Sequence, residues 1–269
     1  MRIAVFCNED RMLQVCDNLS KDYQIMICNE ETDYENQPAY DAIVFPIKGV
    51  YENGMIDFLD KKIQLPDSFF QRQKKECIYF CGMKNEYLER LPQAKIYYMQ
   101  EEKVIRDNAI LTAEGVLHEL INCVRKSIYD ITIDVIGYGQ CGKVIYQMLK
   151  NLQLNVRVIR RDCKLEDDFI PLSAWNNCGD VLVHTATGSI LDKERIQSWK
   201  NKPIIIDIAT PDVIDIKTAK EEGIVVLKAK NLPGRFASIS AGNIIADFIR
   251  ETLLNEKQTN FIWYLWFIL

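Results

Sequence analysis

The chain has 269 residues, enough for one large or two modest domains, and its 48% hydrophobic and 26% charged residues match a soluble globular protein. A formal net charge of −5 without any basic stripe argues against a dominant nucleic-acid partner. Nine cysteines with no C-x-x-C pair, and only two histidines, exclude a zinc site of the usual spacing and fit reduced core thiols.

In chain order, Arg2 to Phe6 reads as a first strand and not as the apolar core of a signal peptide. Short apolar runs at 23–28, 42–45 and 77–80 read as further strands. Helical spacing runs through 9–19, with Met12, Val15, Cys16 and Leu19 on one face, and through 86–91. Residues 29–40 read as a connecting loop and 49–57 as a surface loop. Such alternation predicts a parallel sheet, so the N-terminal part is itself Rossmann-like.

Residues 112–126 predict a helix that Thr112 caps, with Val116, Leu117, Leu120, Ile121 and Val124 on one face. Glu114 and Glu119 suit its N-terminal half, and Arg125 and Lys126 close it. This helix is expected to bridge two α/β halves. Strands at 131–136, 155–159, 181–184, 204–208 and 224–228 then alternate with helices at 142–152, 192–199 and 216–222. A final helix over 241–254, carrying Ile244, Ile245, Phe248 and Ile249, is expected to cross back, giving two lobes with a cleft between them. The nine apolar residues 261–269 are too few to span a bilayer, and the tail 256–269 is assigned no role.

The most informative motif is Gly137-Tyr138-Gly139-Gln140-Cys141-Gly142, a G-x-G-x-x-G loop between a predicted strand and a predicted helix. Its glycines permit a tight turn, close approach of the backbone to a pyrophosphate and close helix–strand packing. Free N–H groups at the helix N-terminus receive the anion. An acidic residue is expected about twenty residues further on, to hold the adenosine ribose. Arg160-Arg161-Asp162 stands there instead. The planar fork of arginine suits a 2′-phosphate, which favours NADP(H) over NAD(H). Two other readings stay open: Asp162 takes the acidic role one turn late, or both arginines are simply solvated.

Several segments then fall into a recognisable order: Thr112-Ala113-Glu114-Gly115, 180–185 with Ile190-Leu191, and 204–209 followed by a proline. Asn231-Leu232-Pro233-Gly234 and Ser240-Ala241-Gly242-Asn243 complete it. From the first strand to about residue 250 the chain resembles the A-type polypeptide of dipicolinate synthase from endospore-forming bacteria. The resemblance implies oxidation of a dihydrodipicolinate-level intermediate of lysine biosynthesis to pyridine-2,6-dicarboxylate, with NADP⁺ (or NAD⁺) accepting hydride. A flavoprotein-like partner of the B type, and a cytoplasmic role in the mother cell during sporulation, are further implications. Three loops depart from the family pattern. Cys7-Asn8-Glu9-Asp10 replaces a Gly-Gly-Asp turn; Thr210-Pro211-Asp212-Val213 replaces a basic residue followed by Pro-Gly-Gly; Ala237-Ser238-Ile239 replaces Ala-Pro-Lys.

The expected fold is therefore α/β, with two Rossmann-like domains of parallel sheets joined by bridging helices. Residues 1–110 are read as the substrate and catalytic domain, completed by the helix over 240–255, and 111–239 as the NAD(P)-binding domain. A dicarboxylate needs cations or N–H donors, for which Arg11, Arg235 and the helix start near Ser238 are candidates. Glu114 and His184 are the candidates for proton transfer, with a cofactor-orienting role the alternative for His184. Thr185, Ala186, Thr187 and Asp207 are expected beside the nicotinamide ribose, and His118 in mid-helix reads as structural. A homo-oligomer is expected, and no membrane span. A 2-hydroxy-acid dehydrogenase would need a late histidine, yet none follows His184. A non-catalytic nucleotide-binding paralogue is the third reading.

Overall fold

The computed structural model describes residues 1–58 and 61–268, with side chains as far as Glu256, so the side chains of the apolar tail lie outside the described residues. The elements run β1 (Arg2–Phe6), α1 (Asp10–Leu19), β2 (Gln24–Cys28), β3 (Ala42–Val44), β4 (Met55–Phe58), β5 (Lys61–Gln64), α2 (Asp67–Gln71), β6 (Ile78–Cys81), α3 (Glu86–Glu89) and β7 (Ala94–Tyr97). They continue with α4 (Glu102–Cys123), β8 (Thr132–Ile136), α5 (Gln140–Asn151), β9 (Asn155–Arg160), β10 (Phe169–Pro171) and β11 (Val181–His184). Next come α6 (Lys193–Ser198), β12 (Ile204–Asp207), α7 (Ile216–Glu221), β13 (Val225–Lys228), α8 (Leu232–Phe236) and α9 (Ser238–Ile268).

Two compact units emerge, one of residues 1–107 and 238–269 and one of residues 108–237, so the chain passes between them inside α4 and again just before α9. The first unit holds a parallel sheet ordered β2-β1-β3-β6-β7. One of its faces buries an aromatic cluster of Phe6, Tyr34, Phe45, Phe58 and Phe69, and the other is covered by α1 and α9. Met12, Val15, Cys16 and Leu19 of α1 are buried, as their helical spacing requires, against Ile245, Ala246, Ile249 and Leu253 of α9. Gly242 makes this approach possible, because a Cβ there would lie 2.5 Å from Gln14 Cβ and 2.6 Å from the Arg11 carbonyl oxygen. Asn18 Nδ2 donates to Asn243 Oδ1 at 2.7 Å across the same contact.

The second unit is a six-stranded parallel sheet ordered β10-β9-β8-β11-β12-β13, the doubly wound order of a dinucleotide-binding domain. Its strands read as nearly continuous Val and Ile because both faces are buried. Two buried carboxylates, Asp134 and Asp207, break the pattern. The fully buried Asp134 of β8 accepts from Arg157 Nε at 2.7 Å, Arg157 Nη2 at 2.9 Å, Trp175 Nε1 at 2.9 Å and the Gly179 amide at 2.8 Å. With four donors the carboxylate is satisfied, and it joins β8, β9 and the loop before β11 into one polar staple.

Several elements differ from expectation. The segment read as a surface loop over 49–57 ends in β4, which pairs antiparallel with β5 and buries Ile56 and Phe58 by strand alternation. The short strands β7 and β10 sit at sheet edges with too few residues to show a period. The helix expected over 112–126 begins ten residues earlier, at Glu102. Thr112 is therefore no cap; its hydroxyl donates to the Asn108 carbonyl at 2.9 Å within the helix.

Candidate functional site

The glycine loop lies where β8 hands over to α5. Gly137 has φ +98°, a backbone region that favours glycine, and a Cβ there would lie 2.5 Å from Thr185 Oγ1. A Cβ on Gly142 would collide with the Gly137 carbonyl, so the third glycine is required by packing. Gly139 differs from both: nothing lies within 4 Å of where its Cβ would stand. Its openness is not explained by protein contacts, and it leaves the backbone free to meet a ligand.

Gly137 and Gly139 line a cavity of about 360 Å³ with Ile159, Arg160, Arg161, Thr185, Ala186, Thr187, Gly188 and Ile190. This cavity sits at the carboxyl ends of β8, β9 and β11, the switch point at which open α/β sheets take their ligands. Glycine backbone, the start of α5 and two guanidiniums together present donors of the kind that could hold phosphates. Neither Arg160 nor Arg161 is paired with a carboxylate among the described residues. Tyr138 turns aside from this cavity to pack edge-on against Phe169, with ring centroids 5.2 Å apart. Gln140 is exposed at the head of α5, whereas Cys141 packs on the core, where burial raises its thiol above the usual range. Gly188 and Ile190 were not foreseen; the small residue after Thr187 was the available signal.

His184 and Asp207 stand opposite one another on β11 and β12 and are fully buried. Asp207 Oδ1 accepts from His184 Nδ1 at 3.0 Å and from the Ala209 amide at 3.2 Å, while Oδ2 accepts from Lys228 Nζ at 2.7 Å. Burial alone would raise the Asp207 carboxyl; hydrogen bonds from His184 and Lys228 and the charges of Lys230 and Lys228 outweigh it and hold the group at about 2. The ionised carboxylate fixes the proton on His184 Nδ1, and Nε2 is left buried without a hydrogen-bond partner. Lys228 and Lys230 also reach Asp212 at 3.1 and 3.0 Å, which ties down the loop after β12. Asp207, expected beside the nicotinamide ribose, has its oxygens engaged by His184, Lys228 and the Ala209 amide. The two lysines were missed, although Lys-Ala-Lys at a strand end was visible.

No family model matches the chain. Over 235 residues it is 28% identical to the A-type polypeptide of dipicolinate synthase from Bacillus subtilis, covering 81% of this chain and 79% of that protein. The crystal structure of the corresponding dipicolinate synthase polypeptide from Bacillus halodurans matches with a TM-score of 0.81 at 22% identity, covering 94% of this chain and 97% of that one. The chain is a divergent relative of A-type dipicolinate synthase. The fold is shared more widely: D-lactate dehydrogenase of Escherichia coli matches with a TM-score of 0.65 at 11% identity, covering 96% of this chain and 98% of that one.

Two of the sequence blocks that carry the dipicolinate synthase resemblance are the two sides of one helix contact. A Cβ on Gly115 would lie 2.6 Å from Leu232 Cβ, so that glycine lets α8 seat on α4. One turn on, the His118 ring lies 4.1 Å from that of Phe236, and Arg235 Nη2 pairs with Glu119 Oε1 at 3.1 Å. Arg235, expected to bind substrate, thus has its own carboxylate. Arg11 is 3% exposed and its Nε donates to Glu9 Oε1 at 3.0 Å, so it is no solvated arginine either. Glu114 is exposed but lies in the interior of α4, which removes the helix-dipole argument made for it. Ser238, half-buried, is the first residue of α9. His184, expected in proton transfer or in orienting the cofactor, is fully buried with its Nδ1 engaged by Asp207.

Proposed function

We propose that the chain is an NADP-linked oxidoreductase of the A-type dipicolinate synthase class, which converts a dihydrodipicolinate-level dicarboxylate to pyridine-2,6-dicarboxylate. The observation that carries this reading is the open backbone at Gly139 beside Arg160 and Arg161, both free of carboxylate partners among the described residues. A phosphate-bearing coenzyme fits that donor set, and an uncharged ligand would leave it unused.

When bound, an oxidised nicotinamide supplies an acceptor for hydride. The chain's own tasks are binding and orientation. The amides at the start of α5 and the guanidiniums of Arg160 and Arg161 hold phosphates, and the 185–187 loop stands at the ribose side. His184 serves as a positioning residue, held by Asp207 behind that loop. Glu114 is the proposed proton acceptor, and the head of α9 at Ser238 the proposed donor to a substrate carboxylate, whereas Arg11 and Arg235 are engaged by Glu9 and Glu119. A flavoprotein-like polypeptide of the B type is the proposed partner, in a homo-oligomeric assembly acting in the mother-cell cytoplasm.

The test has two stages. NADPH and NADH are titrated into the full chain; then the growth of pyridine-dicarboxylate absorbance is followed with NADP⁺ and the dihydropyridine, with and without the B-type partner. Tighter binding of NADPH and NADP⁺-dependent product formation are expected. No complex with either coenzyme would end the proposal. Binding without turnover in both arms would favour a non-catalytic nucleotide-binding paralogue, a reading supported by the arginines already engaged by Glu9 and Glu119.

A further inference from the structure

Two periods in the first unit bring two sulfurs together. Along β1, Ile3 and Val5 face α1 and α9, whereas Ala4 and Phe6 face the aromatic cluster. Strand alternation therefore sends Cys7, the residue after β1, to the α1 side, where it packs on that core. On α1 the spacing of Met12, Cys16 and Leu19 turns Cys16 towards β1. Cys7 Sγ and Cys16 Sγ stand 2.9 Å apart, the one sulfur–sulfur contact among the described residues.

Both cysteines are held in place by their backbones. The Cys7 amide donates to the Cys28 carbonyl of β2 at 2.9 Å, and the Ser20 amide donates to the Cys16 carbonyl at 2.9 Å. Their surroundings differ. Cys16 is 2% exposed, whereas Cys7 is half-buried at the turn, its Sγ 3.6 Å from the carbonyl oxygens of Val5 and Met12. The hydrogen bond to Cys7, and then burial, push the Cys16 thiol well above the usual range, so it keeps its proton. Cys7 is thus the thiol a solvent-borne reagent meets, with a second thiol directly behind it. Cys28, on the neighbouring strand, turns its Sγ to the Met26 carbonyl of that strand at 4.0 Å.

We propose that Cys7 and Cys16 are a peroxide-reactive dithiol, a reversible modification site that closes to a disulfide between the end of β1 and α1. In the first step Cys7 Sγ attacks one oxygen of hydrogen peroxide. An S–O bond forms, the O–O bond breaks, and the other hydroxyl leaves with the thiol proton as water. Cys16 Sγ then attacks the sulfenic sulfur of Cys7. The S–S bond forms, the S–O bond breaks, and the hydroxyl leaves with the Cys16 proton as a second water. The two thiols together lose two electrons, and the peroxide gains them. The new bond ties the end of β1 to the second turn of α1, across the loop that carries Glu9, the partner of Arg11.

Peptide mapping of the full chain tests this. The protein is treated with hydrogen peroxide, remaining thiols are blocked with N-ethylmaleimide, and the chain is unfolded and cut with trypsin without reductant. Arg11 lies between the two cysteines, so cleavage places them on peptides 3–11 and 12–21. The expected product is these two peptides joined, two hydrogens lighter than their sum and separated by dithiothreitol. Peroxide added after unfolding in urea should show no such preference; the same yield there would show that the fold does not build the site. Cys16→Ser should stop at the sulfenic acid, which dimedone captures on peptide 3–11. Without dimedone it should carry about tenfold more sulfinic acid at Cys7 than the parent, whose second thiol is positioned for capture. Cys7→Ser should leave Cys16 unoxidised. Free Cys7 and Cys16 in the peroxide-treated parent, or a link from Cys7 to Cys28 in their place, would overturn the proposal, and neither result depends on the folding of a variant.

Discussion

Gly139→Ala separates ligand recognition from folding more cleanly than any other single change. Gly139 has φ −76°, which alanine adopts without strain, and a methyl group there meets nothing within 4 Å. As the N-cap of α5 it loses up to about 1 kcal/mol on becoming alanine, and the stiffer unfolded chain returns about 0.4–1 kcal/mol. The melting temperature should therefore move by less than about 3 °C. The same methyl occupies the space through which a pyrophosphate would approach. Losing one amide–phosphate hydrogen bond costs about 1.5–3 kcal/mol, which is about 10- to 150-fold in affinity. Titration of NADPH by tryptophan or nicotinamide fluorescence reads the second effect and calorimetry the first. Gly142→Ala should invert the pattern, because its methyl collides with the Gly137 carbonyl: a lower melting temperature comes first, and weaker binding only follows from it. Wild-type affinity in a folded Gly139→Ala protein would refute the assignment of this loop to phosphate.

Three further outcomes are expected. Gly115→Ala sets a methyl 2.6 Å from Leu232 Cβ and should cost about 1–3 kcal/mol by overpacking the α4–α8 contact, read as a drop in denaturant midpoint at unchanged slope. Asp134→Ala leaves Arg157, the Trp175 indole and the Gly179 amide without their acceptor, and should cost about 3–5 kcal/mol in the same assay; a loss under about 1 kcal/mol would show that the staple is dispensable. Asp207 is depressed from 3.8 to about 2, so its contribution is fully present above pH 3.8 and disappears as the pH falls to about 2. Asp207→Asn should therefore be less stable at neutral pH by about 2 kcal/mol, with a flatter stability profile between pH 4 and 2 than the parent; parallel profiles would contradict this.

Much of the architecture was legible because burial writes itself into period. Val and Ile runs marked β1, β8, β9, β11, β12 and β13, and the spacing of Met12, Val15, Cys16 and Leu19 marked α1. The three glycines of the turn were legible too, since each relieves a local steric demand. Elements too short to complete a period were not: β7 and β10 became strands only through pairing with neighbours far along the chain. The start of α4 was missed because its first two turns, from Glu102, mix charged and apolar residues without one dominant stripe. Of the candidate site, the sequence pointed to the glycines and arginines that line one cavity, and not to the pairings of the other side chains. Nothing local in the sequence says that Arg235 meets Glu119 or that His184 spends its Nδ1 on Asp207, and the Arg11–Glu9 pair, two residues apart, was passed over. These are pairings of the folded chain, and they turned three reactive-looking side chains into braces. The Ala-Glu-Gly and Leu-Pro-Gly blocks show the same lesson, since Gly115 and Leu232 touch each other as packing partners.

Because α9 lies against α1, the first unit is assembled from two segments far apart in sequence, whereas residues 108–237 form an uninterrupted stretch. During translation, therefore, the nucleotide-type sheet can finish folding while the earlier-made half still waits with Met12, Val15 and Leu19 uncovered. Because α9 is made after both sheets, a ribosome that stops before Leu253 releases a chain whose earlier-synthesised half has an exposed apolar flank for chaperones and proteases to find.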